Sequence, residues 1–336
     1  MANIDSAMRL VGRFLLLIGV AIAAVADRPA AAQGVALQMG AATIPFHRSE
    51  PAERQIGRLV WRGGVVFSAG APEFGGWTDL HIIDDGATLV AVSEEASWLT
   101  ATLTYDAEGN LAGVSDGKIG PLLGLNGKPI VGRGWTTAQA LTQLLDGSWL
   151  VGFERNHRIW RYAPLDGTPL PLEGPAEIAR QPLNAGIKSM ATTADGSILA
   201  ISEDYSLKPG TVVGWIGKPA GRGWTWQTFN YAVDARFRPT SMAAVPDGSF
   251  VVLERSIEAR LGARSRVMQV PGDRLKGGAT VAGTELAVLA LPHPADNFEG
   301  ISAGHGKRGE TLLWLNSNDN FNPLQRNLLL MFEIVP

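Results

Sequence analysis

The sequence predicts an all-β fold: a single-domain β-propeller of five or six four-stranded blades, its ring closed by an N-terminal strand. Three observations carry that prediction. A short phrase recurs five times, built of a small or polar lead-in, a Gly-rich tight turn, an apolar run and an acidic residue. Further runs of β-type residues follow the copies. No amphipathic helical stretch of ~10–15 residues separates them, as a βαβ array would require. Self-similarity at a spacing of roughly 50 residues, with four strands to each repeat, marks a propeller blade. Glycine, at 40 of 336 residues, exceeds the usual ~7 % and suits a turn-rich chain.

Taken in order, residues 1–32 read as a secretory signal. Arg9 and Arg13 make a positive start, 14–26 form an apolar stretch, and Ala30-Ala31-Ala32 offers a small-x-small cleavage site before Gln33. Met8-Arg9 opens a more typical signal than Met1 does. The apolar stretch is shorter than the ~20 residues a membrane span needs. No arginine pair stands there, so the general secretory route to the periplasm or exterior is expected, with no stable membrane span after cleavage. Residues 33–336 then form the propeller. Residues 59–67 have no hairpin of their own and are expected beside 327–334, completing the last blade and removing a free sheet edge.

The first copy runs Thr78-Asp79-Leu80, Asp85-Gly86, 89–92, Glu94-Glu95, with 98–105 following. The second runs Ala140-Leu141, Asp146-Gly147, 149–153, Glu154-Arg155, then 158–162. The third is Ser189-Met190, Asp195-Gly196, 198–201, Glu203-Asp204, then 211–216 and 224–229. The fourth is Ser241-Met242, Asp247-Gly248, 250–253, Glu254-Arg255, then 266–270. A looser fifth reads Gly300-Ile301-Ser302, Gly306 to Gly309, 312–315, Asn318-Asp319. Asp-Gly between apolar runs predicts a hairpin with a type I′ turn, because Gly takes φ > 0 cheaply. The Pro-rich stretch 163–181 is too short for an interdomain linker and reads as a loop between blades.

Composition excludes several functions. The formal charge of −3 becomes −4 without the signal, and no basic stripe is present, so nucleic acid is not an expected partner. With no cysteine, disulfides, thiol catalysis and thiolate metal sites are absent, and the fold stands without staples in an oxidising compartment.

The chemistry lies in the acidic residues that close the second strands. Glu94, Glu154, Glu203, Glu254 and Asp319 are expected at equivalent places, hence as a ring at one mouth. Like charges raise one another's pKa, so the ring needs Arg155, Arg255, Lys188 or a hard cation; calcium favours several carboxylate and carbonyl oxygens. Repeating inter-blade ion pairs would give the same pattern. Glu299 enters an inner strand, and His305 follows it in the last hairpin. Asn318-Asp319-Asn320-Phe321 also fits an Asx-turn. Gly113-Val114-Ser115-Asp116-Gly117 has the G-x-S-x-G form of serine hydrolases but sits in an expected Gly-rich loop. Ile119-Gly120-Pro121 after it begins no helix, as that motif requires. The ten tryptophans, two of them in the recurring Gly-Arg-Gly-Trp phrases at 132–135 and 221–224, read as wedges between blades or as a sugar-stacking face.

These phrases also carry a resemblance. Arg62-Gly63-Gly64, Phe74-Gly75-Gly76-Trp77-Thr78, Val151 to Ile159, Asn297 to Ile301, and Asp319-Asn320-Phe321 resemble the esterase-like phytase family, secreted bacterial β-propellers. The resemblance spans nearly all of the mature chain. It implies hydrolysis of a small-molecule ester or phosphate substrate, with Glu154, Arg155, Glu254, Arg255 and Glu299 in catalysis. It implies calcium held by Glu299, Asp319 and Asn320. Thr137-Ala138-Gln139 stands where an Asp-x-Glu pair is expected, and Asn318-Asp319 where paired aspartates are, so the site has lost negative charge. Three readings remain: a calcium-assisted phosphoester or carboxylic-ester hydrolase, a non-catalytic propeller binding a sugar, phosphate or envelope partner, and a structural envelope protein.

Overall fold

In a computed structural model, residues 34–258 and 262–336 are described; the signal at 1–32 lies outside the described residues. Five antiparallel sheets make five blades. Blade 1 is Trp77–Ile83, Thr88–Ser93, Ser97–Tyr105 and Leu111–Pro121. Blade 2 is Ala138–Gln143, Trp149–Phe153, Arg158–Tyr162 and Leu170–Leu172. Blade 3 is Ile187–Thr192, Ile198–Ser202, Thr211–Ala220 and Gly223–Ala232, with Thr280–Val281 added in parallel. Blade 4 is Arg238–Ala244, Phe250–Glu258, Gly262–Val270 and Thr284–Leu289. Blade 5 is Phe298–His305, Thr311–Ser317, Leu328–Ile334 and Leu59–Ala69. The first strand of each blade touches the first strands of both neighbouring blades, and blade 5 returns to blade 1, so the ring is closed and five-fold.

Closure follows the expected pairing. Leu59–Ala69 runs antiparallel to Leu328–Ile334, from Leu328 opposite Val66 to Ile334 opposite Leu59. The N-terminal segment continues the job: Met39–Thr43 pairs with Leu59–Ala69, and Val35–Leu37 crosses to the outer edge of blade 1. Second strands such as Trp149–Phe153 and Ile198–Ser202 are buried throughout, because a blade packs against a neighbour on each face. That is why they read as unbroken apolar runs. Trp77, Trp215 and Trp314 are fully buried, each contributing upward of ~2 kcal/mol by burial.

Three local expectations change. The hairpins of blades 2 to 5 close with three-residue loops: Leu144 N–H bonds Ser148 O, and Gly147 N–H bonds Leu144 O. Only the glycine has positive φ (+81° at Gly147), which is a type I turn with an αL glycine rather than type I′. Pro246 at the first loop position of blade 4 suits that turn, since its φ is fixed near −65°. Blade 1 alone keeps type I′ geometry, with Asp85 at φ +52° and Gly86 at +91°. The stretch 163–181 supplies the outer strand Leu170–Leu172 as well as a loop. The G-x-S-x-G residues lie inside the strand Leu111–Pro121 rather than in a loop, and Ser115 donates to the Asp116 carboxylate at 2.9 Å.

Candidate functional site

Each inner strand begins at the same mouth of the ring and carries the same irregularity. Its pairing with the second strand skips one residue: Thr78, Gln139, Lys188, Thr240 and Glu299 in blades 1 to 5. A β-bulge inserts an extra residue and re-aims its side chain; five equivalent bulges make a ring of five buried polar residues. The second strands return to this mouth with Glu94, Glu154, Glu203, Arg255 and Asn318. The backbone N–H groups of Glu94, Glu154, Glu203 and Asn318 bond the carbonyls of Gly76, Thr137, Gly186 and Asn297 respectively, one bond per blade.

On the side of blades 3, 4 and 5 these groups pair with one another. Lys188 Nζ lies 3.4 Å from Glu203 Oε2. Arg255 donates to the Glu299 carboxylate and to Asn297 Oδ1, and its other terminal nitrogen is 3.7 Å from Glu203. Asn318 Nδ2 donates to Glu299 Oε2 at 3.0 Å. Burial alone would push the Glu299 carboxyl up, but Lys188, Arg255 and Asn318 outweigh it and hold it below the usual range. Burial likewise opposes the Lys188 charge, and Glu299, Glu203 and Glu154 overcome it, so its pKa is raised.

Blades 1 and 2 are different. Glu94 is half-buried and makes no side-chain hydrogen bond among the described residues; burial first, then the charge of Glu299, pushes its carboxyl to about 7. Glu154 is buried, and burial raises its pKa against the pull of Lys188. Two buried oxygens here, Gln139 Oε1 and Glu154 Oε2, have no hydrogen-bond partner among the described residues.

Of the residues expected from sequence, Glu154, Arg255 and Glu299 come together. Arg155 stands at the rim with φ +64°, near enough for its charge to act on Glu154. Glu254 does not join them. It pairs with Pro239 one position earlier than the ring residue, so its side chain turns into the wall between blades 3 and 4. There it accepts from the Tyr231 hydroxyl at 2.7 Å and from Arg266 Nε, whose guanidinium lies 4.4 Å from the Phe237 ring centre. It is a structural ion pair. His305 ends the strand that carries Glu299 near its start, at the opposite face.

Glu299, Asp319 and Asn320 do not converge on one point: Asn320 reaches Glu299 only through Asn318, whose Oδ1 accepts from Asn320 N–H at 2.7 Å, and Asp319 faces elsewhere. Asp319 Oδ1 accepts from Gly76 N–H at 2.7 Å and Oδ2 from Asn327 Nδ2 at 2.8 Å, clamping blade 5 to blade 1. Asn320 is exposed and donates to Gln325 at 2.8 Å. With the Glu299 and Asp319 oxygens engaged and Asn320 exposed beside Gln325, the three residues do not fit a calcium cage. Among the described residues no group of three or more His, Asp or Glu stands at metal-holding spacing.

One residue beyond the first bulge, Asp79 crosses the axis. Its carboxylate accepts from Leu141 N–H and Ser241 Oγ, both at 2.7 Å, while Ser241 Oγ accepts from Ile301 N–H at 3.1 Å. Burial drives this carboxyl well above its ordinary value, against those hydrogen bonds. Four blades are stitched here. Beyond the stitch, a cavity of about 340 Å³ opens on the hairpin face, lined by Thr142, Met190, Ala191, Met242 and His81.

Against known proteins, the phytase-like family, described as esterase-like activity of phytase, matches residues 72–321. The chain belongs to the phytase-like family. No curated protein matches the sequence significantly. Among solved structures, this phytase-like propeller is similar to a virginiamycin B lyase from Staphylococcus aureus bound to quinupristin. The identity is 9 % and the TM-score 0.42, covering 89 % of this chain and 100 % of that one. It is also similar to a luciferin-regenerating enzyme, with 14 % identity, TM-score 0.40 and coverage of 78 % and 93 %. The Dos1 propeller is a third, with 13 % identity, TM-score 0.35 and coverage of 84 % and 67 %.

Proposed function

We propose that this propeller is an exported small-molecule ester hydrolase whose reaction takes place over the Glu94 side of the mouth. One observation carries the reading: Glu94 is a half-buried carboxyl with no hydrogen-bond partner among the described residues, poised at about 7 and within reach of the charge of the buried Lys188. A general base is most effective near the working pH. Glu94 takes a proton from water as the water oxygen adds to the ester carbonyl carbon. Lys188 has three N–H donors and meets Glu203 as an ion pair, so donors remain to stabilise the oxyanion. On collapse, Glu94 returns its proton to the departing alkoxide. The reacting centre of a carboxylic ester is neutral and suits a ring where carboxyls outnumber cations; a phosphoester is disfavoured. Glu299, Asp319 and Asn320 are not asked to hold calcium.

The experiment is hydrolysis of p-nitrophenyl acetate, butyrate and phosphate by the mature chain between pH 5 and 9. Acyl esters should be cleaved, with the rate rising through pH ~7, and Glu94→Gln should lose about 10²-fold or more. Turnover of the phosphate alone, or an unaffected Glu94→Gln, would overturn the assignment. The alternative is a binding propeller, favoured by the mutual pairing of Lys188, Glu203, Arg255 and Glu299. Ligand binding at the mouth with no turnover of any ester would select it.

A further inference from the structure

The five blades deliver five pairs to the mouth: Thr78 with Glu94, Gln139 with Glu154, Lys188 with Glu203, Thr240 with Arg255, and Glu299 with Asn318. Five-fold repetition makes each pair a control for the others. In blades 3 and 5 the two members bond each other. In blade 4, Thr240 bonds the Leu253 carbonyl and Arg255 bonds Glu299. In blade 1, Thr78 bonds the Val92 and Ala138 carbonyls. Glu94 makes no side-chain hydrogen bond among the described residues but is partly open to solvent; blade 2 differs in that its unpaired atoms are buried. Gln139 is 4 % exposed and Glu154 6 %, yet Gln139 Oε1 and Glu154 Oε2 have no donor among the described residues.

Both orphan atoms are acceptors. A buried polar group without a partner costs on the order of 1–3 kcal/mol, so this corner favours whatever brings donors. The charge balance has the same sign. Glu94, Glu154, Glu203 and Glu299 share the electrostatic field of Lys188 and Arg255, with Arg155 at the rim. Lys188 and Arg255 form their ion pairs with Glu203 and Glu299, and among the described residues neither pairs with Glu154. A phosphate or carboxylate placed here would bring acceptors to acceptors and negative charge to negative charge. An ammonium group brings three N–H donors and a positive charge.

We propose that the blade 2 corner is a subsite for a primary ammonium group, which donates to Gln139 Oε1 and Glu154 Oε2. Its consequence, resting on the hydrolase reading above, is that the substrate is an ester carrying a protonated amine. A metal ion would satisfy the charge, but the corner offers one carboxylate and one amide oxygen, enough acceptors for an ammonium and too few for a coordination sphere.

The test is calorimetric titration of the full mature chain with n-butylammonium, tetramethylammonium, calcium and inorganic phosphate. Butylammonium should bind, and tetramethylammonium, which has the charge but no N–H, at least tenfold more weakly. Phosphate should not bind. Gln139→Leu and Glu154→Gln should each weaken butylammonium at least tenfold while melting as cooperatively as the parent chain. Equal binding of the two ammonium ions, or calcium binding that is lost in both variants while butylammonium is indifferent to them, would overturn the subsite. The wild-type comparison needs no variant to fold. Ester hydrolysis without amine binding overturns this inference alone; amine binding without any ester hydrolysis overturns the hydrolase reading alone.

Discussion

Replacing Glu94 by Gln tests the electrostatics of the mouth without reference to any substrate. The carboxyl moves from an ordinary 4.5 to about 7 on folding. A raised carboxylate pKa means that the folded state resists ionisation. Stability is therefore full below pH ~4.5, where the group is protonated in both states, and is lost as pH rises through ~7. At about 1.4 kcal/mol per pH unit the full effect is roughly 3.4 kcal/mol. The side chain is partly open to solvent, and screening cuts this to roughly 1–2 kcal/mol. Glu94→Gln removes the titration. The variant should match the parent at pH 4 and exceed it at pH 8 by that amount, a Tm gain of about 1.5–3 °C for a chain of this size. Thermal unfolding of both proteins across pH 4–8 reads it directly. A Tm difference independent of pH, or a variant less stable than the parent at pH 8, would refute the argument.

Other outcomes follow from the same geometry. Arg255→Met strands the buried Glu299 carboxylate and should cost about 3 kcal/mol, read by urea unfolding. Glu254→Gln should lose comparable stability through Arg266 but leave ester turnover unchanged, since its contacts are with Tyr231 and Arg266. Trp61→Ala, in the closing strand against Phe46 and Phe332, should cost about 3–5 kcal/mol. Chelator or added calcium should leave the Tm unmoved, because the Glu299 and Asp319 oxygens are engaged within the protein.

Strand order and ring closure were legible because the repeat and the leftover strand 59–67 each admitted one use, whereas the repeat left five or six blades open and the contacts between first strands fix five. The site was half legible. Glu154 and Glu203 follow the hairpin glycine by seven residues, and in blade 4 that count lands on Arg255, not Glu254. Residue type drew attention to the wrong neighbour, where counting from the turn would have found the right one. The bulges had no signal, since Thr, Gln, Lys, Thr and Glu share no chemistry that marks an irregular pairing. Asp79 was visible only as part of a repeated phrase; that it reaches Ser241 is a property of the closed ring. The strands Val35–Leu37 and Met39–Thr43 were missed because Gly40-Ala41-Ala42 carries none of the β-branched or aromatic residues that announce a strand.

The five bulges separate what holds the ring together from what the ring presents. A residue within a regular ladder answers to the residue opposite it and to the core behind it, so changing its chemistry disturbs packing. The extra residue of a bulge has no residue opposite it in the ladder. Thr78, Gln139, Lys188, Thr240 and Glu299 therefore behave as interchangeable sockets on a fixed frame, and the frame already tolerates a hydroxyl, an amide, an ammonium and a carboxylate in them. Rewriting the charge of the mouth therefore leaves the strand ladders in place, and asks only that Lys188 and Glu299 change together with the partners that hold them, Glu203 and Arg255.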